Sequence, residues 1–267
     1  MEEISGDRPL SRRQQIRYIG IFLRRFSGLF ARVPYGSFPR IPVAEGSSSL
    51  FRKYVDGFLV TSIPKYIPQK NISVFDIGCG GGYIRDILTR GGYTGTYKGL
   101  DVVFEERFKN FETTSFTSTF IQSPIESFSI PETFDFVLSN TALEHVKSDK
   151  AAVLKAHELC AEKGIEIHIV PSWWSFFIYL WHGYRHYTPG SLKRLFGGTH
   201  YTVYKLGGLF SFLTQLILMT LGERYLKIRV RDKHWYSKFA QKSIALDYIL
   251  PLCPLAYGVI VESQNEN

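Results

Sequence analysis

The run Val74-Phe75-Asp76-Ile77-Gly78-Cys79-Gly80-Gly81-Gly82 constrains the fold of this chain more than any other stretch. Val74, Phe75 and Ile77 read as a short buried strand, the glycines as a tight turn, and Tyr83 as the opening of a helix. A strand, a glycine turn and a helix N-terminus in that order make a cradle for a nucleotide-like ligand.

Around this cradle, strands and helices alternate. Residues 50–67 predict a helix broken by Pro64 and Pro68. Residues 72–77 are the first strand, and 83–89 a helix stopped by Gly91-Gly92. Residues 97–103, 116–121 and 134–139 are strands two to four. A helix over 148–163 closes on Gly164, and 165–170 form strand five. Thr188 and Pro189 start a short helix over 190–196. Strands over 201–205 and 256–261 follow, the last one closing the sheet. The pattern predicts an α/β fold: a doubly wound, mostly parallel seven-stranded sheet with helices on both faces. At 267 residues and 45% hydrophobic content the chain can bury a sizeable core, which excludes global disorder.

Two segments depart from a minimal α/β domain. Over residues 9–33, Ile16, Ile19, Phe22, Leu23, Phe26, Leu29, Phe30 and Val33 share one face of a 3.6-residue period. Arg13, Arg17, Arg24, Arg25 and Arg32 fall opposite. This predicts one arginine-rich amphipathic helix ended by Pro34, set off by a Pro/Gly/Ser-rich linker over 34–49. The organisation is thus 1–49, basic helix and linker, and 50–267, the α/β domain, in which 171–250 form an apolar cap. Within that cap, residues 206–222 are uncharged and predict a buried or membrane-dipping helix rather than a full span.

The formal net charge of +8 is concentrated. Residues 8–40 carry eight arginines and no acid, and 224–242 carry seven basic residues and one acid, Asp232. Two local basic surfaces fit an anionic membrane surface or anionic partner better than a uniformly basic nucleic-acid binder. Cys79, Cys160 and Cys253 lie far apart, so no metal is expected and a reducing, cytoplasmic compartment is the simplest reading. Met1-Glu2-Glu3 is not the start of a cleavable secretory signal. Together these predict a cytoplasmic protein whose first helix either lies on the inner face of a membrane, making the chain peripheral there, or caps the core with its apolar face and leaves its arginines in water.

The dinucleotide fingerprint would need a glycine at position 83, which is Tyr83. The run is instead Asp-x-Gly-x-Gly-x-Gly, with Asp76 ahead of the first glycine. A pyrophosphate disfavours a nearby carboxylate, whereas a cationic sulfonium and ammonium tolerate one. With Lys98-Gly99-Leu100-Asp101, and with the stretch from Phe134 to Ser139-Asn140-Thr141-Ala142-Leu143-Glu144-His145-Val146, the chain resembles the class I, Rossmann-like S-adenosylmethionine-dependent methyltransferases, in their type-11 branch.

The resemblance covers roughly residues 70–200 and the last strand. It implies S-adenosylmethionine as cofactor. Asp76, Gly78, Cys79, Gly80 and Gly82 would wrap its methionine part, and Asp101 would accept two hydrogen bonds from the ribose diol. Val102 would pack near the adenine, with Ser123, Pro124 and Ile125 beside it. Ser123 stands where the family usually has Asp. Asn140 would line the methionine and the acceptor entrance.

Methyl transfer to a hydroxyl needs a base, and His145 and His186 are the two candidates. His157 and His168 read as structural, and His182 carries no signal. Arg185 and Tyr187 are candidates to meet an acceptor carboxylate or phosphate. The run from Trp173-Trp174 to Trp181 either packs the core, covers the active site, lines an apolar acceptor pocket or touches a membrane together with the 206–222 helix. The acceptor so implied is a small or lipid-linked molecule. A nucleic-acid acceptor is disfavoured, because Ser139-Asn140-Thr141-Ala142 lacks the Asn/Asp-Pro-Pro-aromatic motif of base amino methylation. A catalytically silent cofactor-binding module is the third reading.

Overall fold

The computed structural model describes residues 5–42, 48–110 and 115–262, so Met1-Glu2-Glu3 and the middle of the expected linker lie outside the described residues. The helices are α1 (Arg12–Arg24), α2 (Leu50–Tyr66), α3 (Ile84–Arg90), α4 (Arg107–Asn110), α5 (Asp149–Leu159), α6 (Pro189–Phe196), α7 (Leu209–Thr214) and α8 (His234–Asp247). The strands are β1 (Asn71–Ile77), β2 (Thr94–Asp101), β3 (Phe116–Gln122), β4 (Phe134–Asn140), β5 (Cys160–Pro171), β6 (His200–Leu206) and β7 (Ala256–Glu262). They form one seven-stranded sheet of order β3-β2-β1-β4-β5-β7-β6. β1 to β5 are parallel, and β7 runs antiparallel between β5 and β6. The doubly wound expectation holds, with one difference: the last strand inserts into the sheet and β6 takes the edge.

Two helices end earlier than their sequence pattern. α5 stops at Leu159, because Cys160 already pairs with Phe134 and β4 and β5 slip register between Phe134 and Phe136. Gly164 is not a helix cap. It lies within β5, where a Cβ would come within 2.9 Å of the Phe134 carbonyl oxygen.

α1 starts with a capping box between Ser11 and Gln14 but ends at Arg24, and a 3₁₀ turn, Phe26–Phe30, follows. Gly28 in that turn lies against the start of α6, where a Cβ would meet the Thr188 Oγ1 at 2.4 Å. The buried face of α1 is also rotated from the expected one. Tyr18 and Phe22 point inward, while Ile16, Ile19, Leu23, Phe26 and Phe30 remain exposed. The reason is aromatic docking. Phe22 stacks on Trp173 and Phe176 with centroids 4.3 and 3.8 Å apart, and the Tyr18 hydroxyl donates to the His182 carbonyl at 2.8 Å. The chain after α1 runs along the sheet edge, where Gly36 donates to the Val203 carbonyl at 2.9 Å.

Beyond β6, α7 continues as a π-helical stretch, Gln215–Tyr225, and α8 returns alongside it. Thr214 and Ser243 hydroxyls meet at 2.9 Å, and Asp247 accepts from the Phe210 and Ser211 amides. Among the described residues no helix is long and apolar enough to cross a membrane.

Candidate functional site

The glycine loop follows β1 at the carboxyl edge of the sheet. Gly78, Gly80 and Gly82 have φ of +71°, +48° and +72°, a region that costs any other residue strain. The Gly78 and Cys79 amides both donate to the Leu100 carbonyl, which ties the loop to the end of β2. Asp101, the last residue of β2, reaches back over the loop. Its carboxylate accepts from the Gly80 amide at 2.9 Å and from the Val103 amide at 3.2 Å.

A cavity of about 600 Å³ opens here. Gly78, Asp101, Val102, Ser123, Pro124 and Ile125 form one side, and Ala142 and His145 the other. Val102 is exposed at the mouth, and the Ser123 amide donates to the Asp101 carbonyl at 3.1 Å, which fixes the wall after β3. The structure therefore brings six of the expected cofactor residues to one cavity together with His145.

Other expected residues lie around this cavity rather than on it. Asp76 is fully buried beneath the loop and takes a hydrogen bond from the Tyr97 hydroxyl. Burial raises its carboxyl to about 7, against the pull of that hydrogen bond. Cys79 is buried, its sulfur facing Gly99. The Asn140 amide donates to the Tyr83 hydroxyl, while its Oδ1 is buried without a hydrogen-bond partner among the described residues.

The cap residues go elsewhere. His186 is 2% exposed, burial lowers its pKa to about 3, and it does not line the cavity. Of the two candidate bases the fold thus brings only His145 to the cavity. Arg185 is buried, bridging Asp149 at 2.8 Å and donating to the Lys147 carbonyl at 2.6 Å. Tyr187 is buried and donates to Asp149 at 3.3 Å. Trp173 is buried under α1, with Trp174 perpendicular to it and to Phe212. None of these four lines this cavity, and they pack α1, α6 and α7 against the end of β5.

Sequence reasoning missed Asp7. It lines the same cavity, and its carboxylate accepts from the His145 Nδ1 at 2.8 Å. The two are 138 positions apart, so no local pattern could pair them. Burial opposes the charge on Asp7, but hydrogen bonds from His145 and Ser5 hold its carboxyl well below the usual range. Burial alone would lower His145, and Asp7 and Glu144 outweigh it and raise its pKa. Glu144 sits in the run read from sequence. It is fully buried, and burial raises its carboxyl to about 7.

A methyltransferase-domain family model matches residues 50–206, which span α2 to β6. No curated protein sequence matches the chain. Among solved structures, the plantazolicin methyltransferase BpumL in complex with a triazolic desmethylPZN analog and SAH is similar at a TM-score of 0.54 and 11% identity, over 95% of this chain and 92% of its own. The Burkholderia thailandensis 1,6-didemethyltoxoflavin-N1-methyltransferase, with 1,6-didemethyltoxoflavin and S-adenosylhomocysteine bound, is similar at a TM-score of 0.50 and 14% identity, over 97% of this chain and 93% of its own. At these identities the likeness speaks for the shared sheet and its crossings. With the strand order 3-2-1-4-5-7-6 and the matched family model, this chain belongs to the methyltransferase-domain family, on the class I Rossmann-like fold.

Proposed function

We propose that the chain transfers a methyl group from S-adenosylmethionine to an oxygen of a small or lipid-linked acceptor, a hydroxyl or carboxyl of a glycan, glycolipid, quinone or similar metabolite. The observation that carries this reading is one cavity joining the Gly78 backbone, the Asp101 carboxylate and His145. The residues fit the cofactor. Asp101 presents two carboxylate oxygens for a vicinal diol. Val102, Pro124 and Ile125 give adenine an apolar wall. The positive-φ glycines leave room for a backbone-close ligand.

The sulfonium supplies an electrophilic methyl and a good leaving group. The protein's task is alignment, exclusion of water and removal of the acceptor proton. His145, held by Asp7, is the one histidine among the described lining residues and is the candidate for that last task.

The lipid-linked half of the reading is supported by apolar surface. On α1 and the turn after it, Ile16 (71% exposed), Leu23 and Phe26 are exposed together with Arg12, Arg13, Arg17 and Arg24. On the α7–α8 pair, Leu213, Ile217, Leu221, Trp235 and Phe239 are exposed beside Lys238 and Lys242. Exposed apolar residues with cations among them fit the interface of an anionic bilayer.

Thermal stabilisation by S-adenosylmethionine and not by NAD checks the cofactor. Transfer of labelled methyl into a host extract fractionated into lipid, glycan and RNA checks the acceptor. Label in RNA would replace the acceptor class, and cofactor binding without transfer to any fraction would leave a silent binding module.

A further inference from the structure

A cluster beside the cavity has donor chemistry that methyl alignment alone does not use. The 3₁₀ turn after β4, Leu143–His145, turns Glu144 inward and His145 outward. Glu144 is 0% exposed, and neither of its carboxylate oxygens has a hydrogen-bond partner among the described residues. An unpartnered buried carboxylate is costly. Its Oε1 lies 4.0 Å from the His145 Nε2 and 3.9 Å from the His182 Nε2, too far for hydrogen bonds. The two imidazoles meet edge to face, with centroids 4.7 Å apart.

The cluster is braced from outside. Asp7 Oδ2 accepts from the His145 Nδ1, which directs the Nε2 toward Glu144 and His182. Asp7 Oδ1 accepts from the Gly183 amide at 3.0 Å, and Gly183 has φ of +59°, so the turn carrying His182 is pinned to the same aspartate. The Tyr184 amide donates to the Glu144 carbonyl at 2.7 Å. Asp7, His145 and His182 offer ligand atoms that all lie within 4.8 Å of one another, the Glu144 Oε1 lies between the two Nε2 atoms at similar distances, and the Asp7 carboxylate fixes the orientation of one imidazole from behind. That is how metal-bound histidines are held.

We propose that Glu144, His145 and His182 bind one divalent transition-metal ion of the zinc type, with Asp7 as the positioning residue for His145. Two imidazoles and one carboxylate favour zinc or its neighbours over magnesium or calcium, which take mostly oxygen ligands. Ligands at about 2.0–2.1 Å around a tetrahedral ion lie about 3.3 Å apart, so the two separations from the Glu144 Oε1 to the imidazoles need to close by roughly 0.6 Å. Side-chain rotation supplies that, since both imidazoles are solvent-accessible.

With three protein donors the fourth position is open, and His145 also lines the cavity. Resting on the methyltransferase reading, that position takes an oxygen of the acceptor. Binding there lowers the acceptor pKa, and the hydroxyl proton leaves to solvent. The oxygen lone pair then forms the O–CH₃ bond as the C–S bond breaks, its electron pair staying on sulfur as a neutral thioether. With the ion bound, the ion takes over the removal of the acceptor proton that the proposal above gave to His145.

The test uses the full chain stripped with chelator and titrated with Co²⁺, read by visible absorption and stoichiometry. The expected result is one Co²⁺ per chain, displaced by Zn²⁺, with affinity at least 100-fold lower in His182→Ala and Glu144→Gln and about 10–100-fold lower in Asp7→Asn. Should Glu144→Gln not fold, His182→Ala decides alone, because its side chain is on the surface. Thermal stabilisation by S-adenosylmethionine runs in parallel on every variant. No stoichiometric cobalt site in wild type, or equal binding by His182→Ala, overturns the proposal while the cofactor shift stands. Loss of the cofactor shift in wild type would instead remove the methyltransferase reading, and the cobalt spectrum would still report on the metal site.

Discussion

Asp101 has two tasks at once. It caps the glycine loop through the Gly80 amide and faces the cavity. Asp101→Ala removes a charged acceptor for two hydroxyls, with a cost of about 3 kcal/mol, roughly 100-fold in cofactor affinity by calorimetry. Asp101→Asn keeps one acceptor oxygen and falls between. Gly78 is a backbone case. At φ of +71° a Cβ would also lie 2.4 Å from the Ala142 Cβ. Gly78→Ala should therefore lower stability by about 1–3 kcal/mol in denaturant and weaken cofactor binding as the 141–142 turn shifts. Both residues were legible in the sequence, because each belongs to a contiguous motif whose spacing mirrors its chemistry. Asp7 and His182 were not. Their roles come from the chain folding its first residues across the turn after β5, and no local pattern records that.

At the scale of elements, β4, β5 and α5 are joined by a buried polar network. Glu166 on β5 is bonded to the His157 Nδ1 at 2.6 Å and the His168 Nε2 at 3.0 Å, and Ser139 on β4 donates to the other ring nitrogen of His168 at 2.7 Å. Burial pushes the Glu166 carboxyl up, but the hydrogen bonds from His157 and His168 outweigh it and hold it below its ordinary value. A carboxyl depressed on folding adds stability above its unfolded pKa of about 4.3 and loses it as pH falls toward the folded value. Urea midpoints of wild type should drop as pH falls below about 4.3 more steeply than those of Glu166→Gln, which cannot titrate there.

The docking of α1 makes a second element-scale prediction. Phe22→Ala opens a cavity between Trp173 and Phe176 and should cost about 3 kcal/mol, with early proteolysis before residue 30. The sequence pattern located α1 and put Phe22 on its apolar face, but the face that docks is rotated toward Tyr18. Its period sums apolar residues, whereas the fold selects the aromatic pair that fits between rings. The alternating strands were legible to within a few residues because burial on both faces leaves continuous apolar runs. The early end of α5 was not, since β-sheet register is a long-range matter.

The rotation of α1 has a consequence for the molecule as a whole. Because Tyr18 and Phe22 take the inward positions, Ile16, Leu23, Phe26 and Phe30 are left facing water, which a monomer gains nothing by exposing. The same holds for Leu213, Ile217 and Leu221 on α7 and its continuation. The two helical segments that carry these stripes both contact one stretch, the turn Trp173–Phe177 and the residue after it. Phe22 packs on its start, and the carbonyl of the next residue, Ile178, accepts from Thr220 at 3.1 Å. The arginines and lysines beside both stripes should each contribute about 1 kcal/mol toward an anionic surface, and their attraction should fade as the screening length shrinks from about 10 Å at 0.1 M salt to about 3 Å at 1 M.

Vesicles containing phosphatidylserine should therefore retain the protein at low salt and release most of it at high salt, and phosphatidylcholine vesicles should bind it weakly throughout. Ile16→Ser with Leu23→Ser should weaken the low-salt binding at least tenfold in co-sedimentation, while stability changes by less than about 0.5 kcal/mol because both side chains are already exposed. Equal sedimentation of the double variant and wild type would remove the membrane from the account of these stripes and leave the acceptor a soluble one.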